Sequence, residues 1–227
     1  MWSGTSAGGV SAYLHPSYVR SRLLGPGARL VAMPDAGFFP DHGTMAPPHE
    51  HAWIAQLRSA VSLWNATLRG DAAACAAANA DDIAKCLFPQ YLYPYSTVPH
   101  FMLNSVMDTA GLGICFSAEC NPFTTCNASQ TADILAYAAE LQATITASAA
   151  LFGERDGYFL TSCYQHEESC RTEDWYGIVI DGQNANATFA AWYAAGSAAA
   201  PAARRVDVTW PNDASCAPQT DTRHGAC

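Results

Sequence analysis

The sequence of 227 residues contains no apolar run resembling a transmembrane helix, so a helical membrane span is not expected. It has no Lys/Arg-rich cluster interleaved with aromatics, and its 11 basic residues face 20 acidic ones, a formal charge of −9. That balance argues against nucleic acid or an anionic membrane surface as a partner. The cysteines lack the paired Cys-x-x-Cys spacing of a zinc site. No charged stretch followed by an apolar one opens the chain, so no signal peptide is read from it.

What is present suits a single globular domain: half of the residues (50%) are hydrophobic, enough for a substantial core at this length. Nine cysteines, at 75, 86, 115, 120, 126, 163, 170, 216 and 227, fall mostly in loop-like sequence and read as disulfides. Asn-x-Ser/Thr sequons at Asn65, Asn127 and Asn186 agree with an oxidising, secretory route. The odd cysteine count leaves one thiol free or bonded outside this chain.

The chain is organised around Gly4-Thr5-Ser6-Ala7-Gly8. A tight strand-to-helix turn that thrusts one side chain outward brings its backbone close to its neighbours, and small residues on both sides permit this. Ser6 is then a candidate nucleophile. A helix beginning just after it directs free N–H groups and the positive end of its dipole at a developing negative charge, which makes the Ala7 N–H a candidate oxyanion donor. A glycine-rich turn whose serine merely caps a helix is the competing reading of the same residues.

Apolar runs alternate with helical stretches along the chain, the pattern of an α/β fold. The helix after Ser6 runs to about Leu14, with Pro16 marking its end or a kink. Residues 29–34 read as a short buried strand leading into Asp35-Ala36-Gly37-Phe38-Phe39, and a Pro/His-rich loop spans 40–51. Apolar residues at helical spacing (Trp53, Leu57, Val61, Trp64, Leu68) predict an amphipathic helix over 53–68, and the alanine-rich 72–85 predicts short helices around Cys75. Residues 100–107 form the next expected strand, with Asp108 at its carboxyl end. A cysteine-rich loop, a helix over about 131–151 and a strand over 157–162 follow, the last leading into Cys163-Tyr164-Gln165-His166. A final helix covers about 186–196, and the tail from Arg204 shows little periodicity.

Strand ends are where such folds keep their chemistry, and serine, acid, histidine is the chain order of α/β-hydrolases. Ser6, Asp108 and His166 fit that order. The histidine would take the serine proton and return it to the leaving group, with a carboxylate behind it fixing the tautomer. Asp35 competes for the acid role because it also ends a predicted strand; otherwise it is a structural carboxylate accepting N–H bonds in its turn. His42, His49 and His51, with Asp41, read as a solvated loop rather than a metal site, and neither a metal nor a cofactor is expected. His15 falls at a helix end, His100 opens a strand and His224 lies in the tail. Trp53, Trp64, Trp175, Trp192 and Tyr193 read as packing residues, Trp175 with the least support.

Taken together, Ser3-Gly4-Thr5-Ser6-Ala7-Gly8-Gly9, Asp35-Ala36-Gly37-Phe38-Phe39, Cys86-Leu87-Phe88-Pro89-Gln90, Asn104-Ser105-Val106-Met107-Asp108 and Ser162-Cys163-Tyr164-Gln165-His166 resemble the pectin acetylesterase/Notum family of carboxylesterases over roughly residues 2–193. The resemblance implies a disulfide-containing, α/β-hydrolase-like three-layer fold, with Ser6 as nucleophile, Asp108 as acid and His166 as base. It implies a secreted enzyme removing O-acetyl esters from a polysaccharide through an acyl-enzyme, acting as a monomer. Removal of a fatty acyl group from a secreted protein is the alternative within the family, and a non-catalytic binding module or inactive fragment the alternative outside it. Members also share strands and a Gly-Gly-Gly-Trp-Cys segment before the elbow that supplies further oxyanion donors. This sequence begins at the strand leading to Ser6, so N-terminal truncation is expected: a partial domain over 1–200, an irregular tail over 201–227, and an unstable or weakly active chain.

Overall fold

The computed structural model describes residues 1–25, 27–196 and 203–216. Strand β1 (Trp2–Thr5) runs through Ser6 into α1 (Ala7–Leu14), and Pro16 opens α2 (Pro16–Leu23) at its first turn, where its missing N–H costs no hydrogen bond. After β2 (Ala32–Asp35) come α3 (Ala52–Leu63), α4 (Asp71–Ala78) and the short α5 (Pro89–Leu92). Next are β3 (Phe101–Ser105), α6 (Thr109–Ile114) and the long α7 (Ala128–Ala150). Strand β4 (Gly157–Thr161) leads to α8 (Thr172–Gly177), then to the hairpin of β5 (Val179–Ile180) and β6 (Gln183–Asn184). The last elements among the described residues are α9 (Ala185–Ala195) and β7 (Arg204–Val206).

The central sheet has the order β1-β2-β3-β4-β7, and every neighbouring pair is parallel. A parallel sheet needs cover on both faces, and period-two alternation supplies apolar residues to each. Met102 and Leu160 join one core with Tyr13 of α1 and Ile134, Leu141 and Ile145 of α7. Phe101, Leu103 and Phe159 point the other way, into a core with Ile178, Ile180 and Trp192 of α9. The fold is therefore a three-layer α/β structure of α/β-hydrolase type. Helix α7 is secured at its start by a capping box, in which Asn127 and Gln130 each accept the other's backbone N–H.

Three predicted elements differ from their sequence reading. Leu30 and Val31 are buried, but the ladder of β2 begins at Ala32, opposite Trp2. Helix α3 stops at Leu63 because Asn65 takes a left-handed conformation (φ 46°), and Trp64, placed on a packing stripe by its spacing, is 75% exposed. Arg204–Val206 lies in the stretch without periodicity yet forms the fifth strand against Tyr158–Leu160; three residues are too few for alternation to register.

Among the described residues the disulfides are Cys75–Cys86, Cys120–Cys126 and Cys163–Cys216, and Cys170 is also disulfide-bonded. Cys115 is a free, buried thiol; burial pushes its pKa up, away from the reactive thiolate. No helix among the described residues is long and apolar enough to cross a membrane.

The glycines of the elbow are not equivalent. A Cβ on Gly4 would lie 2.6 Å from the Gly8 carbonyl oxygen, whereas one on Gly8 meets nothing within 4 Å. Gly4→Ala is expected to destabilise the fold by about 1–3 kcal/mol, the range for forced overpacking. Gly8→Ala, inside a helix, is expected to be neutral or to stabilise by up to about 1 kcal/mol. Urea denaturation midpoints of the two variants check the ranking.

Candidate active site

Because the strands of the central sheet are parallel, their carboxyl ends share one edge, and every candidate residue follows one of them: Ser6 after β1, Asp35 at the end of β2, Asp108 beyond β3 and His166 beyond β4. Ser6 is held at φ 55°, ψ −119°, a conformation costly for a residue with a side chain by roughly 1–3 kcal/mol. Its N–H donates to the main-chain oxygen of Asp35 at 2.9 Å. Its side chain makes no capping hydrogen bond to α1, so the hydroxyl is not consumed as a helix cap. That removes the capping account of the serine. The Ala7 N–H lies in the first turn of α1, where no intrahelical acceptor exists for it.

The elbow is pressed against the exit of β2. A Cβ on Gly9 would sit 2.5 Å from the Asp35 main-chain oxygen and 2.8 Å from Gly37 Cα, and one on Gly37 would collide with Gly9 in return. Phe38 N–H donates to the Asn104 side chain at 3.2 Å, which joins this same segment to β3.

Asp108 caps α6, its Oδ1 accepting the Gly111 N–H at 2.6 Å. Its Oδ2 lies 2.7 Å from Nδ1 of His166. With the Nδ1 proton donated to the carboxylate, neutral His166 presents Nε2 as a base. Burial pulls the His166 pKa down, but the hydrogen bond and charge of Asp108, with the charges of Glu167 and Asp35, outweigh it and the net shift is upward. Burial raises the Asp108 carboxyl, against the lowering effects of His166 and Gly111. The histidine segment is fastened on several sides: Thr109 N–H donates to the Gln165 oxygen at 3.1 Å, Arg171 Nη2 to the His166 oxygen at 3.1 Å, and Cys163 is disulfide-bonded to Cys216. The ring leans on Phe39, with centroids 6.2 Å apart.

Asp35, fully buried, faces elsewhere. Its Oδ1 accepts the Glu168 N–H at 3.1 Å, and its Oδ2 accepts the N–H and Oγ–H of Ser169 at 2.7 and 2.6 Å. It is a carboxylate receiving N–H bonds, as one sequence reading had it, but the donors belong to the chain beyond His166 rather than to its own turn. Glu168 and Ser169 carried no signal in the sequence; a buried glutamate two residues after a histidine has no motif.

The remaining histidines do not converge. His42 faces Glu140 (3.3 Å), His51 bonds Asp41 (2.7 Å) and His49 bonds the Thr44 oxygen (2.8 Å). Among the described residues the one grouping with metal-ligand geometry is Cys163, Asp207, Asp213 and Cys216, whose sulfurs are joined in a disulfide. His15 is exposed where α1 meets α2. His100 is buried, with its pKa lowered by burial and its Nδ1 2.8 Å from the Val98 oxygen. His224 lies outside the described residues. Of the aromatics read as packing residues, Trp192 is buried, Tyr193 is 42% exposed, and Trp53 and Trp175 are half-buried.

With this geometry in place, comparison with known proteins is informative. The family model described as pectinacetylesterase matches residues 1–217. Two crystal forms of the Wnt deacylase Notum from Drosophila superpose with TM-scores of 0.80 and 0.79 at 20% sequence identity. The first match covers 96% of this chain and 59% of the Notum chain, the second 95% and 57%. The chain therefore spans under three fifths to about three fifths of the length of these structures.

Glu168 gives the site a titration of its own. Thr161 Oγ1 donates to its Oε1 at 2.9 Å, while Oε2 is buried without a hydrogen-bond partner. Burial holds this carboxyl well above its ordinary 4.5, and the neighbouring Asp35 charge raises it further. The folded state thus keeps a proton that the unfolded chain releases, so stability falls as pH rises from about the ordinary carboxylate value toward the folded pKa. Glu168→Gln keeps a neutral group of the same shape and removes that dependence. Its melting temperature relative to the parent is expected to climb as pH rises above the ordinary carboxylate range, as followed by circular dichroism.

Proposed function

The chain belongs to the pectinacetylesterase family, and on that premise we propose that it carries the site of a serine carboxylesterase acting on O-acetyl esters of a polysaccharide. The observation that supports this most directly is the 2.7 Å bond between Asp108 and His166, at the same sheet edge as a serine whose hydroxyl makes no helix cap. In this reading Ser6 Oγ attacks the ester carbonyl carbon while His166 Nε2 takes its proton. The oxyanion is received by the Ala7 N–H and the positive end of α1. Collapse expels the alcohol, which leaves with the proton from His166, and Ser6 retains the acyl group. Water then attacks the acyl-enzyme, His166 again taking and returning the proton, and the carboxylic acid departs. Asp108 holds the ring in the required tautomer and stabilises the imidazolium.

The polysaccharide substrate is supported by the family's description and by the resemblance of Cys86-Leu87-Phe88-Pro89-Gln90 and the residues around His166 to pectin acetylesterases. Disulfides and sequons support an extracellular location. The chemistry described needs neither metal nor cofactor.

In the full-length protein, a fluorophosphonate probe is expected to label Ser6, and Ser6→Ala to abolish both labelling and p-nitrophenyl acetate hydrolysis. A folded protein whose Ser6 resists the probe would instead be a binding module on this scaffold. His166 must be unprotonated to act, so kcat/KM is expected to rise with pH through a pKa above the ordinary histidine value of 6.5. Asp108→Asn removes the group that raises it: the acid limb should move to lower pH, and turnover should fall by about 10³–10⁴-fold. A pH–rate profile of parent and variant measures both effects.

A further inference from the structure

The carboxyl group of Asp35 is fully buried, and no cation among the described residues forms an ion pair with it. Removing a carboxylate from water without a cation is expensive unless several donors converge on it. Here the donors are the N–H of Glu168 and the N–H and hydroxyl of Ser169. All three belong to the segment immediately beyond His166. The same residue's main-chain oxygen accepts the N–H of Ser6. One residue at the end of β2 is therefore bonded through its backbone to the serine and through its side chain to the histidine segment. Beside Asp35, the buried Glu168 side chain accepts the hydroxyl of Thr161 of β4 at its Oε1.

We propose that Asp35 is a positioning residue of the acyl-transfer site, fixing the chain beyond His166 to the exit of β2 so that the imidazole is held at a set height relative to the Ser6 hydroxyl. The inference rests on the proposed roles of Ser6, Asp108 and His166. Asp35 itself touches neither substrate nor the reacting atoms. Asp108 sets the ring's tautomer and its rotation; Asp35 sets where the ring's backbone sits. The Gly9–Gly37 contact makes the serine side of this link rigid, because α1 and the β2 exit meet with no side chain between them. On the histidine side the link is made by hydrogen bonds alone, which is where substitution can loosen it.

The test uses the full-length protein and p-nitrophenyl acetate, with kcat, KM and melting temperature measured for each variant. Ser169→Ala removes one donor and leaves the Asp35 carboxyl in place; it is expected to lower kcat about tenfold with KM unchanged, the loss of one hydrogen bond to a charged group. Ser169→Thr keeps the hydroxyl and is expected to restore kcat. Asp35→Asn replaces one acceptor oxygen with a donor facing other donors, and is expected to lower kcat by about 10²-fold, as for a reacting group displaced by about an ångström. If Ser169→Ala and Asp35→Asn melt lower but turn over like the parent, Asp35 serves stability alone and the proposal is wrong. Should Asp35→Asn fail to fold, the Ser169→Ala and Ser169→Thr pair decides the question by the same criterion. Ser6→Ala separates the two levels. If it keeps full turnover, the acyl-transfer reading fails and carries this inference with it; if it is inactive while Ser169→Ala matches the parent, only the positioning role is lost.

Discussion

The contact on which the rest depends is the one between Gly9 and Gly37, where two backbones meet with no side chain between them. It sets the height of α1 above the exit of β2, and hence the place of Ser6 at the end of β1. A Cβ at either glycine would meet main-chain atoms, which cannot rotate away as a side chain can. The strained conformation of Ser6 persists because this contact, the bond from its N–H to Asp35 and the Gly4–Gly8 approach together over-determine the turn. Strain at one residue is thus held by packing around it.

Beyond the elbow, the organising problem is electrostatic. Asp35, Asp108, Glu167 and Glu168 are buried near the same sheet edge as His166. Like charges so placed cannot all be carried without compensation. The structure distributes the load: Asp108 takes the imidazole and a helix N–H, Asp35 takes the donors of residues 168–169, and burial raises the pKa of Glu168 well above the ordinary carboxylate range. Three carboxyl groups a few residues or one strand apart thereby acquire three different jobs. His166, although partly withdrawn from water, is left with a raised pKa because Asp108 outweighs the cost of burial.

Much of this was legible in the sequence. The helix from Ser6 to Leu14, the strands delivering Asp108 and His166, the long helix and the disulfide character each have a local cause: small residues at a turn, apolar alternation, apolar residues three and four apart, cysteines in loops. The failures have local causes too. Trp64 and Leu68 continued an apolar spacing, but Asn65 turns the chain at positive φ and the helix ends. Residues 204–206 formed a strand only because β4 offers an unpaired edge.

By itself, then, the sequence determined which residue types stand at which strand ends, because turn sterics and periodicity act over a few neighbours. It placed both Asp35 and Asp108 at such ends; position favoured Asp108 for the acid role, and the family resemblance chose it outright. Tertiary structure decided which carboxylate meets His166, since hydrogen bonds depend on distances across chain separations of 58 residues for Asp108 and His166 and 134 for Asp35 and Ser169. It likewise decided that Glu168 is buried beside Asp35 with its pKa raised, because desolvation belongs to the packed fold and not to any stretch of chain.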